Sequence, residues 1–177
     1  MPGRDYTYKF RVKYDMMLMK KYTYLFAILL LFSVNYSHAE DDGVGRVVYH
    51  ADFNDPRRFS AMLTSINNMV TYYTSELIDY DVRIVFVAHG IRFLTDNSLD
   101  KTPFAADKAL EERRENLKGR LLSLNEVQGV RLELCDITRS EIGLDKSELY
   151  ENVESVTSGV VRIAALQQQG FAYIKVE

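Results

Sequence analysis

Residues 82–90 read VRIVFVAHG. The first seven are almost unbroken in apolar, mostly β-branched and aromatic side chains, and His89-Gly90 ends the run. Such a segment predicts a strand covered on both faces, the pattern of a parallel sheet layered between helices. The same logic extends outward. Upstream, residues 46–50 (RVVYH) form a second strand-like run, and Asn54-Asp55-Pro56 opens a helix, with Asp55 suited to the N-cap and Pro56 to the first helical position. Phe59, Met62, Leu63, Ile66, Val70, Tyr73 and Leu77 then recur at three- and four-residue steps, which makes one apolar helix face. Downstream, residues 91–107 are mixed and predict a short helix and a loop punctuated by Pro103. Residues 108–124 predict one charged helix, with Leu110, Leu117, Leu121 and Leu124 on its buried side and the 111–115 acid/base cluster on its solvated side.

After the Gln128-Gly129 turn, residues 130–134 predict a third strand with Cys135 at its carboxyl end. A helical turn is expected over 138–144 and a short strand over 153–156. Thr157 or Ser158 can cap a helix over 159–169, with Gly170 as its C′ glycine, and residues 171–176 (FAYIKV) predict the last strand. Strand and helix alternate throughout, so the expected fold is an α/β three-layer sandwich with a mostly parallel five-stranded sheet. Strand order is not written in this pattern.

The first 39 residues are set apart from that pattern. Lys20 and Lys21, the apolar run 25–34 (LFAILLLFSV) and Ser37-His38-Ala39 reproduce the three parts of a secretory signal peptide, with cleavage expected after Ala39. The apolar run is shorter than the ~20 residues that span a bilayer, so no stable membrane span is expected. Met16, Met17 and Met19 are all plausible starts. The domain reading is therefore 1–39 as extension and signal peptide and 40–177 as one folded domain, exported to the periplasm. Residues 1–39 hold six of the 22 basic and two of the 25 acidic residues, which leaves 40–177 at a net charge of −7. An acidic domain with no basic run is a poor partner for nucleic acid, where phosphate neutralisation dominates affinity.

Cys135 is the only cysteine in the chain. In an oxidising compartment a lone cysteine is an inert buried side chain, half of an intermolecular bridge, or a working thiol. Ligands of open α/β sheets bind outside the carboxyl ends of the strands. His50, His89 and Cys135 all fall at such ends, with Asp52 and Asp136 close by. Ser158-Gly159 starts the last helix after the fourth strand, and a helix N-terminus there would lower the pKa of a nearby thiol. The bland alternatives stand beside this: a small apolar cysteine, structurally hydrogen-bonded histidines, turn carboxylates. His50, His89, Cys135 and Asp52 are all metal-ligand types, yet their spacing matches no metal motif, and no metal site is expected. No G-x-S-x-G, Walker or G-x-G-x-x-G motif occurs. The last helix is apolar nearly all round (Val160, Val161, Ile163, Ala164, Ala165, Leu166), so it is covered on more than one side, by another subunit or by a deep core.

RVVYH at 46–50, VAHG at 87–90, VRLELCDIT at 130–138 and SGVVRIAALQQQGFAYIKV at 158–176 together resemble the DsrE/DsrF-like family of small sulfur-relay proteins, with the YchN-like fold, from about residue 46 to residue 176. The resemblance implies a homo-oligomer, trimer or hexamer. It also implies sulfur held as a persulfide on a cysteine after the third strand, the position of Cys135; nucleophilic exchange at sulfur needs no organic cofactor, and none is expected. His50, His89, Asp52, Ser158 and Gly159 are supporting candidates from strand-end placement, not from the resemblance. The same fold also serves as a non-catalytic binding or assembly module. Sulfur donor and acceptor proteins are not identified by any of these residues.

Overall fold

The computed structural model describes residues 43–177; the signal-peptide reading of residues 1–39 lies outside them. Five strands, β1 (Gly45–Ala51), β2 (Tyr80–Phe86), β3 (Arg131–Cys135), β4 (Val153–Val156) and β5 (Ala172–Ile174), form one sheet in the order β4-β3-β2-β1-β5. Every pairing is parallel. The helices are α1 (Pro56–Ser75), α2 (Lys108–Glu111), α3 (Arg114–Glu126), α4 (Asp136–Glu141) and α5 (Gly159–Gln168), with a 3-10 segment at Ala88–Phe93. Among the described residues no helix is long and apolar enough to cross a membrane.

The order of the strands explains the layers. From β1 to β4 the chain steps in one direction across the sheet. The connection to β5 reverses that direction, passing over β3, β2 and β1. Parallel crossovers are right-handed, so the reversal puts its helix on the opposite face from the others. Accordingly Val47, Tyr49, Val82, Ile84, Phe86, Leu132 and Leu134 join Phe59, Met62, Ile66 and Leu121 of α1 and α3 in one large core. The alternate strand residues Val48 and Val85 meet Ile163 and Leu166 of α5, and Phe171, in a much smaller one.

Local chemistry sets the element ends. The Asp55 carboxylate accepts the Arg57 N–H at 2.8 Å, and Pro56 occupies the first turn of α1, as its sequence predicts. Leu77, expected on the buried face, instead lies beyond the helix in a left-handed conformation and is exposed. The single helix expected over 108–124 is broken between α2 and α3. Asp107 caps α2 through the Leu110 N–H, and Arg114 at the start of α3 donates to the carbonyls of Arg92 and Thr95, tying it to the preceding loop. The turn expected at 138–144 begins two residues earlier, at Asp136, directly after β3. The last strand is shorter than its apolar run.

Candidate functional site

Chain leaving β3 heads towards the large core, which takes in Leu144 and Tyr150, whereas chain leaving the adjacent β4 enters α5 on the other face. Neighbouring strands whose exits diverge in this way open a crevice between them, the place where parallel α/β sheets bind ligands. Cys135 ends β3 there. Its side chain is on the α5 face, and it is 5 % exposed.

Two helix starts meet at this sulfur. Cys135 is itself the N-cap residue of α4, and the first turn of α5 arrives from β4. Burial pushes the Cys135 thiol up. The opposing effect is larger: hydrogen bonds from the Gly159 N–H, from the Thr138 N–H and hydroxyl, and from the Ile137 N–H hold it below the ordinary thiol range. The Thr138 hydroxyl is oriented for this role, because its oxygen accepts the Ala88 N–H at 3.1 Å and its proton remains for the sulfur. Ala88 adopts a positive φ of 48°, unusual for a residue with a side chain, at the turn where the chain leaves β2. Gly90 follows because a Cβ there would lie 2.1 Å from the Ala51 carbonyl oxygen.

Gly159 is equally constrained. A Cβ at this position would lie 2.5 Å from Val87 Cγ2 and 3.1 Å from Cys135 Cβ, so only glycine lets the α5 backbone come this close to the sulfur. Ser158 is the N-cap residue of α5 but its side chain makes no capping bond. Asp136, next to the cysteine, is occupied by Arg139 at 2.7 Å, which holds its carboxyl below the usual range.

The structure brings Cys135, Ser158 and Gly159 together, and places the histidines elsewhere. His50 pairs with Val85, which pairs with Glu133, so it is two strand spacings, roughly 10 Å, across the sheet from β3. Its Nδ1 is 3.0 Å from the Tyr173 hydroxyl. Its Nε2 is buried without a hydrogen-bond partner, 3.9 Å from an Asp52 carboxylate that Lys175 engages at 2.9 Å. Burial lowers the His50 pKa, against the pull of Asp52. His89 packs edge-on against Phe104, at 5.3 Å between ring centres, on the large-core side. Among the described residues no group of three or more His, Cys, Asp or Glu side chains is placed to hold a metal ion.

Three contributors escape a reading of the sequence alone. Thr138 and Ile137 reach the sulfur because α4 starts directly after it. Glu133, two residues before Cys135 on the same face, is completely buried and bound by Arg83 at 2.9 Å and by Arg162 at 2.7 and 2.8 Å. The signal for it was present: a carboxylate within a strand covered on both faces requires a cationic partner.

The DsrE/DsrF-like family model matches residues 45–176, the whole described domain except its ends. The chain belongs to the DsrE/DsrF-like family. The family is associated with sulfur relay. Among solved structures the chain is similar to MTH1491 of Methanobacterium thermoautotrophicum, described as a protein of unknown function, at 27 % identity and a TM-score of 0.55 over 73 % of this chain and 97 % of that one. It is also similar to the YchN protein of E. coli, at 17 % identity and a TM-score of 0.49, again over 73 % and 97 % of the two chains. A comparison with curated protein sequences found no match. The five-stranded parallel α/β sandwich is thus the DsrE-like fold, and Cys135 ends its third strand.

Proposed function

We propose that this DsrE-like protein is an exported, oligomeric carrier of sulfane sulfur, with Cys135 as the residue that bears it. The observation that carries the reading is the placement of a buried thiol at the carboxyl end of β3, against the first turn of α5 where a Cβ on Gly159 would lie 3.1 Å from Cys135 Cβ, with the backbone N–H groups there and Thr138 holding its pKa below the ordinary thiol range. Such a cradle stabilises an anion at sulfur, and the thiolate and the persulfide anion are both anions of this kind. The Cys135 thiolate attacks the outer sulfur of a donor persulfide R–S–SH, giving Cys135–S–SH and releasing R–S⁻. An acceptor thiolate then takes the outer sulfur as its own persulfide and returns the Cys135 thiolate. Each step exchanges one sulfur–sulfur bond for another, with no net gain or loss of electrons and no cofactor.

The signal-peptide pattern of residues 19–39 supports a periplasmic location. The outer side of α5 supports self-association: Val160 and Val161 are 60 % and 65 % exposed, with Tyr173 also exposed on this side of the sheet. A trimer or hexamer would cover them. The net charge of −7 over residues 40–177 argues against nucleic acid as a partner.

One observation favours a second reading, a non-catalytic binding or assembly module. Cys135 is 5 % exposed in the single chain, and an unreactive buried cysteine would look the same from outside. Labelling the native protein with a thiol reagent across pH separates the two. Rapid labelling with a midpoint below the ordinary thiol range is expected of a carrier. Labelling only after denaturation would reject that reading in favour of the module.

A further inference from the structure

Helix α5 is anchored unevenly. Ile163, Leu166 and Phe171 hold its middle and its end against Val48 and Val85. Its first turn has no buried side chain, since Gly159 lacks one and Val160 and Val161 face outward. Yet it is this turn that must hold its backbone against Cys135. The nearest tie is Arg162, one turn into the helix. Both its Nε and its Nη2 donate to the two oxygens of Glu133, a forked geometry that fixes direction as well as distance. Glu133 cannot yield, because it is fully buried in β3 and its second cation, Arg83, is itself locked to Asp81 and lies over the Phe171 ring. Cys135 is the next residue on the same face of the same strand.

We propose that Glu133 and Arg162 are positioning residues for Cys135: their buried ion pair registers the first turn of α5 so that the Gly159 N–H reaches the sulfur. This rests on the reading of Cys135 as the working thiol. A buried ion pair is a poor source of net stability and a good source of geometric definition, which is the use made of it here. Neither side chain touches the reacting atom.

The sign of one substitution isolates this role. Glu133→Gln removes a negative charge near the thiol. Acting through space alone, that loss would favour the thiolate and lower the Cys135 pKa. Acting through position, it loosens the grip on Arg162, withdraws the Gly159 N–H and raises the pKa. The experiment is the pH profile of iodoacetamide alkylation for the full mature chain, its Glu133→Gln and Arg162→Lys variants, and Gly159→Ala as a reference in which the contact is wedged apart directly. Circular dichroism and thermal melting confirm that each is folded, and sulfur uptake from polysulfide is measured in parallel. The expected result is a higher alkylation midpoint in all three variants, with about tenfold less thiolate at neutral pH. Arg162→Lys is included because it keeps the charge and loses the fork. Should Glu133→Gln alone fail to fold, Arg162→Lys decides. A Glu133→Gln midpoint at or below the wild-type value, or Arg162→Lys behaving as wild type, would overturn the positioning role while leaving the sulfur-carrier reading intact. Shifted midpoints in a protein that never takes up sulfur would leave the positioning role standing and remove the carrier.

Discussion

The two faces of the sheet are built to different standards. One is covered by α1, α3 and the loop before α2, with twenty-six buried residues in a continuous apolar core. The other is covered, among the described residues, by α5, with five buried apolar residues beside a buried carboxylate and its two arginines. The first face is where hydrophobic burial stabilises the domain. The second contains the thiol, the charged network and the exposed valines, and it is thin enough to be altered by another molecule. The contrast follows from topology, since among the described residues a single reversal of strand direction sends one helix to that side.

The largest effect that would break this contrast is on the thick face. Phe59 is fully buried and stacked on Phe93 at 4.1 Å. Phe59→Ala is expected to cost about 3–5 kcal/mol in urea unfolding. A cost under about 1 kcal/mol would mean that this core is not what holds the fold. Gly159→Ala on the thin face is expected to cost less, about 1–3 kcal/mol by overpacking Val87, while slowing neutral-pH alkylation of Cys135 far more than it shifts the melting temperature. Equal losses of both would erase the division of labour.

Acid should act first on the thin face, in two windows. Burial holds the His50 pKa below its ordinary range, so folding favours the neutral ring. That contribution is complete above about pH 6.5 and is lost as pH falls through the lowered value. Burial pushes Glu133 up, but Arg162 and Arg83 outweigh it and leave its pKa below the ordinary range. Its contribution is therefore present above about pH 4 and is lost as pH falls further. Stability against pH should flatten in the upper window for His50→Gln and in the lower for Glu133→Gln. A wild-type profile flat across both windows would contradict the assignment. The smallest effect on folding belongs to Val161→Ser, which should alter the melting of an isolated chain by no more than about 0.5 kcal/mol yet shift the oligomer towards monomer in sedimentation. An unchanged assembly would place the interface elsewhere.

Much of the fold was legible beforehand because its signals are local. The Asp55-Pro56 helix start, the β2 run and the 153–156 strand needed only neighbouring residues to be read. Misreadings came where distant contacts intervened. The 108–124 helix breaks where Arg114 reaches the loop carbonyls, with no glycine or proline to mark it. The site was half legible. Cys135 and the start of α5 were placed at one crevice by the rule for strand ends, whereas His50 and His89 satisfied the same rule and face other partners, Tyr173 and Phe104. Strand order separates His50 from Cys135, and strand order is not encoded locally. Glu133 carried half a signal: a carboxylate inside a covered strand requires a cation, but its partners Arg83 and Arg162 come from distant segments that the local pattern does not identify.

The most direct test of the central claim is intact mass spectrometry of the mature protein before and after incubation with polysulfide, with Cys135→Ser as the control. The account predicts a gain of one sulfur atom that is absent from the serine variant and reversed by a thiol reductant. A native protein that gains no mass, or a serine variant that gains as much, would contradict it.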